Sequence, residues 1–245
     1  MSPAVILTAR ILERNRVDMS FGVFSALVGL IGLTVALRDV IDTGAVSYAE
    51  YVLPAVVVQA MLFGALTTTD RAAAETMNAM GYRLRTMPIS QYAPLAARMN
   101  YCLLRGLLAI IAAIIGAMLF GFRFTGGFTY TVAFFALALL LTLSLSLGAD
   151  TIGVRAKRGE VASQLLLVPQ TLIVLLSTGI APVEAFPTWL QPFVLYQPIS
   201  QITETLRGFT TGQVEPANLT VTMIWCVGML IAFGIAALRV QRRTR

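Results

Sequence analysis

The sequence predicts an all-α membrane protein of six transmembrane helices, with both ends on the cytoplasmic side. Three observations carry that reading. The 245 residues are 57% hydrophobic and only 12% charged, with a mean hydropathy of +0.79, far from the balance of a soluble domain. The charges gather in short stretches between long uncharged runs. The basic residues also fall almost entirely on alternate stretches, as the positive-inside rule requires of a polytopic protein.

A bilayer core of ~30 Å needs about 20 apolar residues as a helix. Residues 19–37 are uncharged between Asp18 and Arg38, and residues 51–69 between Glu50 and Asp70. These give the first two spans. The uncharged runs 124–149, 161–183 and 216–238 supply spans at 126–148, 161–181 and 217–238. The remaining span, 100–122, contains Arg105 near one end, where the guanidinium is expected to snorkel to the interface. At the bilayer centre it would cost roughly 3 kcal/mol. Residues 1–18 mix Val5, Ile6, Leu7, Ile11 and Leu12 with charge and suggest an interfacial helix. No cleavage site follows the first apolar run, so that span is expected to remain. Cys102 and Cys226 fall inside spans and read as small apolar residues, with no metal pair implied.

Assigning alternate segments to two sides puts fifteen of the eighteen basic residues on the side of residues 1–18, and leaves Arg38, Arg123 and Arg207 on the other. The first side is therefore cytoplasmic, and the net charge of +6 is a topology signal that requires no nucleic-acid partner. A seventh apolar stretch, 185–203, would put the basic tail outside if it crossed. It carries Pro187, Pro192 and Pro198 with Gln191, Gln197 and Gln201, and three prolines would free backbone groups where no water can satisfy them. It reads as an external segment dipping into the interface, anchored by Trp189 and Tyr196. Gly22, Gly29, Gly32, Gly116, Gly228 and Gly234 are expected to allow close helix packing.

The longest cytoplasmic stretch, 70–99, holds good helix formers from Arg71 to Met80, then Gly81, the basic Tyr82-Arg83-Leu84-Arg85 and Pro88. It predicts a short helix across the cytoplasmic mouth of the bundle that a soluble partner would contact, or a set of arginines that only touch lipid phosphates. The second basic loop, 153–160, reads as a topology determinant, with a second docking point for the partner as the alternative. Polar residues are sparse in the spans; Gln59, Gln164 and Gln170 are candidates for a substrate path, against the alternative that such residues serve helix contacts.

Absences narrow the function. The chain has no histidine, and no apolar run contains a carboxylate, so a proton relay or ion-coupled carrier lacks a carrier group. No buried nucleophile with a base suggests an enzyme. The phosphate-binding pattern G-x-x-x-x-G-K-[ST] is missing, and the single lysine, Lys157, precedes Arg158. Energy for uphill transport would have to come from another chain. A non-transporting membrane scaffold remains the alternative.

The stretch Tyr82-Arg83-Leu84-Arg85-Thr86-Met87-Pro88-Ile89-Ser90 resembles the R-[FL]-R-[ST]-[ML]-P-[IV] segment after the second span of ABC-2 type permeases, above all the daunorubicin-resistance branch of actinobacteria. Ser177-Thr178-Gly179-Ile180-Ala181-Pro182-Val183-Glu184-Ala185-Phe186-Pro187-Thr188-Trp189-Leu190-Gln191-Pro192-Phe193, then Gln197-Pro198-Ile199-Ser200 and Leu206-Arg207-Gly208, is similar to that family's external signature. One departure is Gly81-Tyr82, where many relatives carry an acidic residue before the arginine. The resemblance covers the whole chain as one ABC-2 type transmembrane domain, 1–245. It implies a permease subunit that pairs as a homo- or heterodimer in the bacterial inner membrane and exports a hydrophobic or amphipathic lipid or drug. A separate ATPase subunit would hold ATP and magnesium, and this chain would bind no cofactor. Residues 70–95 become the coupling region, with Arg71, Glu75, Arg83, Arg85, Met87 and Pro88 meeting the ATPase. Residues 182–207 become an external re-entrant hairpin with Glu184, Pro187, Trp189, Pro192, Pro198 and Arg207.

Overall fold

In a computed structural model, residues 3–38, 47–77, 92–156 and 159–243 are described, and all regular structure among them is helical. The helices are α1 (Pro3–Arg14), α2 (Arg16–Leu37), α3 (Tyr48–Met77), α4 (Ala93–Leu119), α5 (Gly127–Arg155), α6 (Gly159–Leu175), α7 (Gln191–Tyr196), α8 (Pro198–Thr211) and α9 (Pro216–Arg243).

Five of them, α2, α3, α4, α5 and α9, are long and apolar enough to cross a membrane. The span expected over 161–181 is shorter than the others, because α6 stops at Leu175 after 17 residues. Those residues advance roughly 25 Å, less than a ~30 Å hydrocarbon core. The stop is local chemistry. Ser177 donates its hydroxyl to the Val174 carbonyl at 2.6 Å and accepts the Gly179 amide at 3.3 Å, replacing the next helical bonds by a turn.

Asn15 separates α1 from α2: its backbone leaves the helical region (φ −117°, ψ 34°) and its side-chain amide bonds back to the Ile11 carbonyl at 2.8 Å. The expected short helix over 71–80 is corrected in its described part. Arg71 to Met77 continue α3 without a break, since Ala72, Ala73 and Ala74 favour helix and no glycine or proline intervenes before Gly81. Arg83, Arg85, Met87 and Pro88 lie outside the described residues. The chain re-enters at α4, whose start is helped by Pro94 in its first turn.

The apolar stretch 185–203 does not form one helix. Pro192 and Pro198 each sit in the first turn of a helix, α7 and α8, and Gln197 between them is extended (φ −65°, ψ 147°). The prolines therefore open helices, where a missing N–H costs nothing. Gly212 closes α8 in the left-handed region at φ 78°.

α3 is the central element and packs on α2, α4, α5, α6 and α8, while α9 lies along α5 and α8. The core is built from Leu30, Val52, Leu53, Val57, Ile110, Phe134, Ile202 and Leu206. From α2 to α5 successive helices run in opposite directions, and α9 runs parallel to α5. One end of the bundle gathers the starts of α2, α4 and α6 with the ends of α3, α5 and α9, as the Asp18–Arg71, Arg98–Asp150 and Arg242–Tyr92 contacts attest. This is the basic end. The far end joins Tyr48 to Ile180 and Thr125 to Thr210. The glycine expectation holds in part: Gly22 and Gly116 sit against Arg105 and against Leu27 and Leu30, and Gly29 faces Val56 at an ordinary distance, whereas Gly32, Gly228 and Gly234 face no neighbour among the described residues.

Candidate functional site

The last turns of α3 carry Arg71 and Glu75, four residues apart and so on one face. Both are engaged within the chain. Arg71 Nη2 lies 2.5 Å from Asp18 Oδ2 at the start of α2, with its guanidinium 4.4 Å above the Tyr101 ring. The same Asp18 oxygen accepts the Tyr101 hydroxyl at 2.7 Å and faces Arg105 Nε at 3.5 Å. Arg105 also donates to the Thr67 hydroxyl and to the Gly64 carbonyl. The expectation that Arg105 snorkels is thus corrected: it is 6% exposed and held inside the bundle. A buried guanidinium is tolerable because a carboxylate and two oxygens surround it.

Glu75 receives Arg98 Nη1 at 3.2 Å. Arg98 grips Asp150 of α5 through two parallel bonds, Nε to Oδ1 at 2.6 Å and Nη2 to Oδ2 at 3.0 Å. The charged groups missed by reading apolar runs, Asp18 and Asp150, lie one residue beyond those runs yet inside continuous helices. α3, α4 and α5 meet at this pair, and Gly153 permits it: a Cβ there would fall on the Thr69 carbonyl.

At the far end Arg207 of α8 organises the chain after α6. It pairs with Glu204 at 2.7 Å and donates Nη2 to the carbonyls of Tyr51 and Thr178, each at 3.1 Å. Its guanidinium stacks 3.8 Å over the Tyr51 ring, whose hydroxyl reaches the Thr178 carbonyl at 2.8 Å. Gln197 donates to the Leu176 carbonyl and to Ser200 Oγ, which accepts the Thr178 amide. Glu184, Pro187, Pro192 and Trp189 are exposed, Trp189 at 77%, while Pro198 is partly buried.

Between α2, α3 and α6 a lateral groove opens. Its larger part, ≈ 370 Å³, is lined by Phe21, Phe24, Ser25, Gly29, Gln59 and Phe63 among others. It continues through Gly29, Gln59 and Phe63 into a part of ≈ 150 Å³ that reaches Gln170, Thr171 and Val174. Two of the three predicted path residues, Gln59 and Gln170, therefore share one groove. Gln164 is exposed and lines neither part. Among the described residues no cluster of three His, Cys, Asp or Glu could hold a metal ion.

A bundle of apolar helices, five of them long enough to cross a membrane, braced by buried ion pairs and open at its side, has the architecture of a polytopic membrane protein. The sequence pattern of the ABC-2 family transporter proteins matches residues 28–239. The chain belongs to that family. It is 30% identical over 200 residues to the doxorubicin resistance ABC transporter permease protein DrrB of Mycobacterium tuberculosis, covering 79% of this chain and 69% of the relative. The probable doxorubicin resistance permease DrrC of the same organism is 24% identical over 153 residues, 62% of this chain and 55% of the relative. The daunorubicin resistance permease DrrB1 of Streptomyces coeruleorubidus is 26% identical over 196 residues, 80% of this chain and 69% of the relative.

Proposed function

We propose that this chain is the transmembrane subunit of an ATP-driven exporter that moves a hydrophobic or amphipathic molecule, lipid or drug, across the bacterial inner membrane. The observation that carries the reading is the likeness to drug-resistance permeases over 79% of the chain. In this reading α6 is the fifth of six spans, the basic end faces the cytoplasm, and the turns and helices from Pro182 to Arg207 form an external re-entrant hairpin. An ATPase subunit holding ATP and magnesium docks on the segment that includes Arg83, Arg85, Met87 and Pro88, and a second permease, identical or related, completes the assembly. The groove with Gln59 and Gln170 is the path: aromatic and aliphatic walls take an apolar body, and two amides supply hydrogen bonds without charge.

Co-expression with an ABC ATPase subunit, purification in mild detergent and reconstitution test the proposal, with doxorubicin, the compound in the relatives' names, as the probe. ATP-dependent accumulation in inside-out vesicles, lost on substituting Arg83, Arg85 and Pro88 together, is the expected result. Accumulation driven by a proton gradient without ATP, or no ATPase partner and no transport, would overturn it in favour of a carrier or a scaffold.

A further inference from the structure

A second groove, ≈ 380 Å³, opens between α4 and α5 and shares no residue with the groove at α2, α3 and α6. Its walls are six leucines, among them Leu103, Leu104 and Leu107 on α4 and Leu143 on α5, and a single alanine, Ala136. None of these side chains forms hydrogen bonds, so only an apolar body suits the groove. Helix seats within a membrane are built on small residues that let backbones approach closely. Six leucines instead hold a helix away and leave a furrow that a flexible chain of methylenes can follow.

The groove begins where a tighter contact ends. Toward the basic end Leu95, Met99 and Ala237 pack together with Leu143 and Leu147, and Leu143 belongs to both places. Ala237 thereby brings the end of α9 over the seam between α4 and α5. Beyond it, Arg242 donates Nε to the Tyr92 hydroxyl at 3.3 Å, which holds its guanidinium at the start of α4. Arg239 stands one turn earlier on a neighbouring position of the α9 surface. α9 runs parallel to α5, with Phe233 against Gly148; two turns further along both helices, Arg155 comes level with Val240. All three arginines are exposed. Among the described residues no carboxylate pairs with any of them.

The distance between charge and groove matches a lipid. From Tyr92 to Leu103 the axis of α4 advances about 16 Å, close to the ~15 Å that one leaflet contributes to the hydrocarbon core. A phospholipid whose phosphate lies at the level of Tyr92 and Arg242 therefore has its acyl chain beside Leu103 and Leu107. A guanidinium presents paired donors to phosphate oxygens, and the leucine walls receive hydrocarbon.

We propose that this face binds one anionic phospholipid, with its phosphate held by Arg242, Arg239 and Arg155 and an acyl chain lying in the leucine groove between α4 and α5. The inference needs these helices to cross a bilayer and is independent of which molecule the chain transports.

Tryptophan quenching by brominated lipid tests it. The reporter is Leu104→Trp, at the exposed rim of the groove, in a chain that also carries Trp189→Phe and Trp225→Phe. The control carries Trp189→Phe alone, so that its signal comes from Trp225, on α9 and outside the groove. Each chain, with no partner subunit, is reconstituted in phosphatidylcholine bilayers containing increasing amounts of phosphatidylglycerol brominated on its acyl chains. The quenching curve gives the binding of the anionic lipid relative to phosphatidylcholine at that tryptophan. The reporter is expected to prefer phosphatidylglycerol by roughly 5- to 30-fold, and Trp225 to show no preference.

Arg155→Gln, Arg239→Gln and Arg242→Gln together should remove the reporter's preference. So should Ala136→Phe, which fills the groove at the end away from the arginines and leaves them in place. A melting temperature in detergent shows that each variant is folded, and the exposed positions of all four residues make this the expected result. No preference at the reporter overturns the proposal. An equal preference at Trp225 overturns it as well, since anionic lipid would then only gather around a basic surface. A preference that survives the arginine substitutions overturns the headgroup seat, and one that survives Ala136→Phe overturns the groove as the seat of the acyl chain.

Discussion

Arg98 and Asp150 meet in a two-pronged ion pair, 2.6 and 3.0 Å, with the Asp150 side chain 1% exposed and that of Arg98 11%. The pair joins α4 to α5, and its third arm to Glu75 draws in α3. Removing one partner strands the other charge where water cannot reach it. Asp150→Leu alone is expected to cost about 3–5 kcal/mol, whereas Arg98→Met with Asp150→Leu restores most of that loss. Unfolding titrations of the purified chain with a denaturing detergent measure both, and a double variant no better than the single one would contradict it.

The arrangement at Arg207 makes a separate prediction. Its guanidinium bonds two backbone carbonyls across the break after α6, and bonds from a charged donor are worth about 1.5–3 kcal/mol each way they are lost. Arg207→Ala should therefore loosen the stretch after Leu175 while the long helices stay folded. Limited proteolysis checks this, with new cleavage expected between residues 176 and 190. Arg207→Lys should fall in between, because an ammonium lacks the flat face that stacks on Tyr51.

Five of the long apolar helices were legible in the sequence, while the early end of α6 and the clamps were not, for a physical reason. Gaps between charges mark where a chain is able to enter hydrocarbon, and Pro187, Pro192 and Pro198 mark where it is unable to remain one helix; both are local signals. The ion pairs depend on helix rotation. Arg98 and Asp150 are 52 residues apart, and Tyr101 and Asp18 are 83 apart. Arg105 shows the difference most clearly, since its expected snorkelling follows from weighing one arginine against lipid, and Asp18 and Thr67 change that balance. Gln59 and Gln170 were visible as polar residues in apolar runs, but only the approach of α6 to α3 distinguishes Gln170 from Gln164.

Close helix approach gives a contrast between glycines of similar appearance. A methyl group at Gly153 would collide with the Thr69 backbone, and one at Gly106 would stand 2.9 Å from Thr142 Cγ2, whereas Gly228 has open space around it. Gly153→Ala and Gly106→Ala are expected to destabilise by about 1–3 kcal/mol through overpacking. Gly228→Ala should leave the chain's own stability unchanged or slightly raised, because alanine is the better helix former. Thermal unfolding of the three variants in the same detergent gives the ranking.

Thiol chemistry probes the interior directly. Cys102 and Cys226 are both buried, and Cys102 contacts the Thr68 hydroxyl at 3.3 Å. In intact membranes neither is expected to react with N-ethylmaleimide on the timescale of an exposed thiol, and both should react after denaturation. Mass spectrometry of the labelled chain counts the two modifications. Rapid labelling of Cys102 before denaturation would mean that α3 and α4 part at that level.

Groove and helix surface separate at the glutamines. Gln59 and Gln170 line the cavities beside Phe63, while Gln164 on the same helix as Gln170 is exposed outside them. Leucine at any of the three keeps a similar volume and removes the amide. If the groove is the path, Gln59→Leu and Gln170→Leu should each weaken doxorubicin transport by roughly fivefold, the size of one hydrogen bond of about 1 kcal/mol. Gln164→Leu should transport as the parent does. ATP hydrolysis without the drug is expected to stay unchanged in all three, because the ion pairs at the basic end are untouched. Transport falling equally in all three would place the path elsewhere, since a residue outside the groove would then matter as much as those within it.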